Sequence, residues 1–250
     1  MRLAAIYNIF DGTEFLIPSF ASVKDHVDVF ILVYQKISNY GEAIDPNDLD
    51  RVDLTPVLFK DSHIVEYIPN QNNGTWNETN KRNLGIQKAK DLGCTHFIQM
   101  DCDEIYEDFG KMKQEYVNSG ADGSVCAMLT YFKHQTLRFE EPDNYFVPFI
   151  HKLHANTVTG SKNYPFRVDP TRSINSQNVV LISGFMHHFS WVRRDISKKI
   201  RNSSAQKNIA KSNLLSDYMN PDIKEGSLVV DFRQKLVKVP DIFDLNRIFH

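Results

Sequence analysis

Apolar and polar positions alternate in blocks along the chain, and the blocks predict its elements. Residues 3–9 (LAAIYNI) are a short apolar run broken by Asp11 and Gly12, which predicts a first strand. Residues 14–23 (EFLIPSFASV) place apolar side chains at roughly helical spacing, with Pro18 as an early-turn residue. Residues 27–33 (VDVFILV) are nearly all apolar and rich in branched side chains, the pattern of a strand buried on both faces in a parallel sheet. The polar stretch 39–56, with Gly41, Pro46 and Pro56, reads as a loop, and residues 64–68 as a third short strand. After the turn-rich NQNNGTWN (residues 70–77), residues 78–92 predict a helix with Leu84, Ile86 and Ala89 near one face and Gly93 as its stop. Residues 95–100 form the next strand. Further strands are expected at 125–132, 145–150 and 179–182, a basic helix at about 196–210, and a terminal hairpin or extended arm from 229–232 and 236–239.

Strands and helices that alternate, with buried strands, imply an α/β fold: one Rossmann-like, mainly parallel sheet flanked by helices, followed by a more irregular C-terminal region. In such sheets ligands bind outside the carboxyl ends of the strands. Three strand ends carry polar side chains: Tyr7 and Asn8 after the first, Gln35 after the second, and Asp101, Asp103 and Glu104 after the fourth. They are expected to converge on one crevice.

Composition narrows this picture only a little. The 250 residues fit one domain with a substantial core, 42% of them hydrophobic and 24% charged. A formal net charge of -2 gives no global attraction to nucleic acid or anionic membrane. Cys94, Cys102 and Cys126 cannot all pair with one another and lack metal-ligand spacing, which points to a reducing compartment. No segment is long and apolar enough to span a membrane and no signal-peptide pattern opens the chain, so the expected location is cytoplasmic, with peripheral contact at a membrane surface open. Asn73, Asn77 and Asn202 match the glycosylation acceptor pattern and read as chance matches.

The chemistry concentrates in FIQMDCDEIY, residues 97–106. Three carboxylates within four residues repel one another, so a positive group or water must meet them. An Asp-X-Asp at a strand end holds two carboxylates on the same side of an extended segment. That pair suits a hard divalent cation, Mn²⁺ or Mg²⁺, which takes its remaining ligands from phosphate and water. The preceding run is NKRNLGIQKAKDLGCTH, so that Arg82, Asn83 and Gly85 open a helix, a strand follows, and Asp101 and Asp103 close the pattern.

This combination resembles the nucleotide-sugar half of glycosyltransferases with the GT-A fold, above all the large family 2 group. The resemblance covers about residues 3–106. It implies a GT-A-like single domain over 1–250, with a nucleotide-sugar-binding half at 1–106 and an acceptor half at 107–250. It implies transfer of a sugar from a nucleoside-diphosphate sugar to a hydroxyl acceptor, with Tyr7, Asn8, Gln35, Arg82 and Asp101 on the donor. Many enzymes of this fold take a further metal ligand from a histidine in the C-terminal half. In GFMHHFSWVRRD (residues 184–195), His188 is that candidate beside Asp101 and Asp103, with His187 and Trp191 expected toward the acceptor. Two departures stand out. The second strand ends in Gln35 where the family often has a base-contacting aspartate, and the family's downstream catalytic Glu-Asp pair has no clear match. Glu104, Glu141 and Asp143 are candidates for the catalytic carboxylate by residue type.

Arg193, Arg194, Lys198, Lys199, Arg201, Lys207 and Lys211 face a single acid, Asp195, and read either as a solvated helix face or as a local contact for a polyanion such as a lipid-linked diphosphate acceptor. Two other functions share parts of the pattern. A nucleotidyltransferase also uses paired aspartates and metal, but with a basic or Gly-rich phosphate loop after the first strand, which residues 3–14 lack. A non-catalytic sugar-binding module would not need Arg82 beside the acidic strand end.

Overall fold

A computed structural model of the chain describes residues 1–59, 61–70, 73–202 and 213–249. The first strands follow the apolar runs: β1 (Leu3–Ile9), β2 (Val29–Tyr34), β3 (Ser62–Glu66) and β4 (His96–Asp101). They pair in parallel in the order β3-β2-β1-β4. This is the parallel, Rossmann-like half that the apolar pattern predicts. Side chains alternate across β1. Leu3, Ala5, Tyr7 and Ile9 face one layer, built from α1 (Leu16–Val23), α2 (Pro46–Leu58) and α4 (Phe109–Ser119). Ala4 and Ile6 face the other, where Ile86 and Ala89 of α3 (Gly74–Asp91) cover the sheet.

Beyond β4 the sheet continues in antiparallel fashion through β8 (Val147–Lys152), β6 (Gly123–Phe132), β7 (His134–Phe139) and β11 (Gln234–Lys238), ending at the two-residue β10 (Leu228–Val229). Two strands lie off that path: the three-residue β5 (Glu104–Tyr106) and the long β9 (Val179–Trp191), which pairs antiparallel with β5 and parallel with β6. Among the described residues no helix is long and apolar enough to cross a membrane.

Several elements differ from the sequence expectation. The loop expected at 39–56 contains α2: Pro46 opens it, and the Asp45 carboxylate caps it by accepting from Asn47 N at 2.9 Å. Its apolar face is thin, because Val52 is buried while Leu54 and Leu58 are exposed. Helix α3 begins at Gly74, four residues before the expected start, because the Asn73 side chain accepts from Trp76 N. Helix α4 is spaced by Phe109, Met112 and Tyr116, capped by Asp108, and ended by Gly120 in the left-handed region (φ +66). The expected strand 179–182 runs on through Gly184 and the histidine pair to Trp191. The terminal hairpin is present as β10 and β11.

Gly85 sits where α3 meets the sheet. A Cβ there would lie 2.3 Å from Ile6 Cγ2 and 3.1 Å from Val33 Cγ2. The absent side chain lets the helix rest on β1 and β2, and so sets the depth of Arg82 one turn earlier. Gly85→Ala gains about 1 kcal/mol of helix propensity but overpacks at a cost of about 1–3 kcal/mol. The expected outcome is a net loss of roughly 1 kcal/mol and a fall in Tm of about 2–4 °C, read by thermal denaturation.

Candidate functional site

The carboxyl end of β4 is where the chain collects charge. Asp101 closes the strand, Cys102 and Asp103 turn it, and Glu104 starts β5. Strand pairing then fixes what meets the acids. Glu104 lies opposite His188, Ile105 opposite His187, and Tyr106 opposite Met186, while Phe189 N donates to Asp103 O at 2.8 Å. Histidines more than eighty positions away are therefore brought to the acids by sheet register.

Three buried arginines take up the negative charge. Arg82, 2% exposed, directs Nη2 to both Asp101 oxygens at 3.1 Å and to Glu78 Oε1 at 3.0 Å. Arg172 engages both Glu104 oxygens, donates to Gln99 O at 2.7 Å, and lies 3.8 Å from Asp101 Oδ2. Arg193 bonds Asp103 Oδ2 through Nη2 and Ser190 O through Nε. Burial raises the Asp103 carboxyl, but Arg193, His188 and Lys199 outweigh it and hold the group well below the usual carboxylate range. Asp101 is likewise lowered, with Arg82 and Arg172 overcoming burial. Burial pushes the Glu104 carboxyl up while Arg172 draws it back. Lys81 donates to Ile9 O at 2.7 Å, and burial lowers its ammonium to about 8 against the pull of Cys102 and Asp101.

Around this cluster opens a cavity of about 300 Å³. Five carboxylates line it (Asp11, Glu78, Asp101, Asp103, Asp169), along with four cations (Lys81, Arg82, Arg193, Lys199). Asn8 and Gln35 line it as well. Both amide atoms of Asn8 and Oε1 of Gln35 are buried without a hydrogen-bond partner among the described residues, as are Nε and Nη1 of Arg82 and Nη1 of Arg193. Buried polar groups are normally paired. Unpaired donors and acceptors around one cavity are contacts that a polar ligand would complete.

Asn8, Gln35, Arg82, Asp101, Asp103, His188 and Trp191 all face this cavity. His188 Nε2 lies 3.8 Å from Asp103 Oδ1, beyond hydrogen-bond reach but facing it. Among the described residues no group of three or more His, Cys, Asp or Glu side chains is disposed to hold a metal ion. Asp103 and His188, with Asp101 on the same wall, are the side chains here that could meet a cation, and Arg193 and Arg82 already engage the two carboxylates.

Five candidates lie elsewhere. Tyr7 is fully buried in the core on the opposite face of β1 from Ala4 and Ile6, its hydroxyl 3.1 Å from Ser19 Oγ, and it does not line the cavity. His187 alternates away from His188. Its Nδ1 pairs with the Tyr131 hydroxyl at 2.9 Å, its ring packs on Phe243, and burial pushes it down to about 4. Glu141 is exposed, with its backbone N donating to Gln234 Oε1, and faces neither this cavity nor the chamber beside it. Glu104 is clamped by Arg172 and faces that adjoining chamber, as does Asp143.

The sequence reading missed three participants. Arg172 and Asp169 come from the DPTRS stretch in a long loop, where only a proline-bounded polar run marks them. Arg193 reads in the sequence as part of the basic segment, yet its side chain is 5% exposed and paired with Asp103. Other cations of that segment also have partners: Lys198 with Asp48 at 3.0 Å and Arg201 with Glu42 at 2.9 Å. The described helix α5 (Ile196–Asn202) is shorter than expected, and Lys207 and Lys211 lie outside the described residues.

No protein-family model matches the chain, and no curated protein matches it by sequence. Among solved structures it is similar to S. aureus TarS 1-349, at 11% identity and a TM-score of 0.49, over 86% of this chain and 71% of that one. The same fragment in complex with UDP-GlcNAc matches at 10% identity and a TM-score of 0.48, over 88% and 72%. A 4-diphosphocytidyl-2C-methyl-D-erythritol synthase matches at 12% identity and a TM-score of 0.43, over 86% and 98%. Likeness at this level gives the chain neither an activity nor a ligand.

Removing one partner of the Asp103–Arg193 pair strands a buried charge. Arg193→Met is expected to cost about 3–5 kcal/mol in urea denaturation, and adding Asp103→Asn to recover most of it. The folded Asp103 carboxyl lies below its unfolded value. Its contribution is therefore present above about pH 4 and is lost as the pH falls toward the folded value. A stability curve measured below about pH 4 is expected to fall less steeply in Asp103→Asn than in the parent chain.

Proposed function

We propose that the chain is a glycosyltransferase of GT-A type, moving a sugar from a nucleoside-diphosphate sugar to an acceptor hydroxyl with Mn²⁺ or Mg²⁺. The observation that carries the reading is the register of β5 on β9, which sets His188 against Asp103 in the cavity that Arg82, Asn8 and Gln35 also line. The sequence resemblance to family 2 points the same way.

Charge supports the metal. Five carboxylates against four cations leave the cavity slightly negative, which by itself disfavours a diphosphate. Asp103 and His188, with Asp101 adjoining, would hold a divalent cation, which would supply the positive charge a diphosphate needs. The Nε and Nη1 of Arg82, which make no hydrogen bond among the described residues, donate to phosphate oxygens. The amides of Asn8 and Gln35 meet the nucleoside, in place of the family's aspartate at the second strand end. In the transfer step the acceptor oxygen bonds to the anomeric carbon, the bond from that carbon to the diphosphate oxygen breaks, and its electron pair leaves with the diphosphate. The hydroxyl proton passes to Asp143. Among the carboxylate candidates, this one lines the adjoining chamber and makes no ion pair among the described residues.

A nucleotidyltransferase is the weaker reading, because the loop after β1 offers Asp11 and Glu14 where that chemistry wants cations around a triphosphate. The two separate cleanly in a panel of nucleotide sugars with Mn²⁺. The expected outcome is release of free nucleoside diphosphate; pyrophosphate released from a nucleoside triphosphate would instead establish the rival. Asp103→Ala and His188→Ala are expected to lose metal-dependent turnover and metal-dependent nucleotide binding, both followed by calorimetry. Arg82→Ala is expected to weaken nucleotide binding by about 1.5–3 kcal/mol, and Arg82→Lys to recover only part of that, since a point charge cannot reproduce the guanidinium fork.

A further inference from the structure

A second chamber of about 280 Å³ adjoins the first and shares Asp101, Asp169 and His188 with it. Its charge is one-sided. Among the described residues Arg172 is the single Lys or Arg on its wall, and that charge is already taken by Glu104 and Asp101. Asp143 and Asp169 make no ion pair among the described residues. Asp143 accepts from Tyr145 N at 3.0 Å and Thr130 Oγ1 at 3.5 Å, and Asp169 from Thr171 N and Oγ1, each at 2.8 Å. Two carboxylates thus stand over the chamber with only neutral partners.

The rest of the wall is suited to a sugar. Tyr145 and Phe146 line it. The Arg167 guanidinium lies 4.5 Å from the Tyr145 ring centroid, and Phe146 N donates to Arg167 O at 2.9 Å, so both aromatic positions are tied to one arginine. An aromatic ring offers apolar area to sugar C–H groups. Arg172, 6% exposed, lines the chamber and carries a buried Nε with no partner among the described residues, a donor that a hydroxyl oxygen can satisfy.

We propose that this chamber receives an uncharged sugar unit of the acceptor and rejects acceptors that bring a phosphate to the same place. The inference rests on the transferase reading and names its acceptor class. A phosphate there would lie against Asp143 and Asp169, and the one lining cation among the described residues, Arg172, is already paired with Glu104 and Asp101, whereas carboxylates accept hydrogen bonds from neutral hydroxyls readily. The polyanionic acceptor contemplated from the basic segment is thereby excluded from the reacting end of the site.

The test is binding, followed by saturation-transfer NMR and calorimetry. The protein carries Mn²⁺ and the nucleoside diphosphate identified by the donor panel, and methyl glycosides are offered each beside its own phosphate monoester. At least one neutral glycoside is expected to bind, and its phosphate ester to bind about tenfold more weakly or worse, since like charges juxtaposed in a site are strongly disfavoured. Asp169→Asn keeps the oxygen that accepts from Thr171 and is expected to shrink that gap to about threefold or less. Asp143→Asn provides a second reading of the same gap, and Tyr145→Ala is expected to weaken the neutral glycoside. Equal or tighter binding of the phosphate esters, no binding of any neutral glycoside, or a gap unchanged in both Asn variants overturns the proposal. If donor turnover persists in that event, only the acceptor class is wrong; if no nucleotide sugar is turned over either, the transferase reading falls with it.

Discussion

Three carboxylates in four residues can end a buried strand only because guanidinium groups meet them. Such pairs gain little net stability, since desolvating both partners cancels most of their attraction, but losing one partner is expensive. Their leverage is positional. Arg82 comes from helix α3, Arg172 from the loop between β8 and β9, and Arg193 from the segment just after β9. One strand end thus fastens three segments scattered through the chain, and misplacing any of them leaves a charge buried without its counterpart. Arg82 and Arg172 keep donors to spare, so the contacts that hold the site together leave part of their hydrogen-bonding capacity unused.

The first half of the fold was legible because burial on both faces writes itself as unbroken apolar runs, as in β2. Where the physics was local and polar, the reading failed. Helix α2 depends on the Asp45 cap and Pro46 more than on an apolar stripe, and its composition looks like a loop. The acid cluster, Arg82 and Gly85 were visible as a spaced motif, and the structure adds the steric reason for the glycine. Tyr7 and His187 were misplaced for one shared reason: adjacent residues on a strand face opposite ways, and the sequence does not say which parity meets the cavity. Arg172 was invisible, because nothing in a polar loop announces that one of its side chains will be swallowed by the core.

The two cavities share a common wall. Asp101, Asp169 and His188 belong to both, so a group bound on one side is in electrostatic contact with a group on the other. The first mixes cations with acids and needs an added positive charge before it welcomes a diphosphate. The second offers acids and aromatic rings. Under the proposed reaction, negative charge leaves through the first while a neutral nucleophile enters through the second, and neither ligand finds the other's chamber congenial.

Strand β9 carries a phase as well as a sequence. Against β6 its register shifts between Val125 and Ala127 and again between Thr130 and Phe132, on either side of the stretch that presents the histidines. Between those irregularities the alternation is strict, with His188 toward the cavity and His187 toward Tyr131. Losing or gaining one residue there would behave like a frameshift in space: chemistry intact, composition almost unchanged, every side chain delivered to the wrong address. Descendants of this chain can therefore be expected to vary freely in which apolar residues they use along β9, and hardly at all in how many residues separate Gly184 from Trp191.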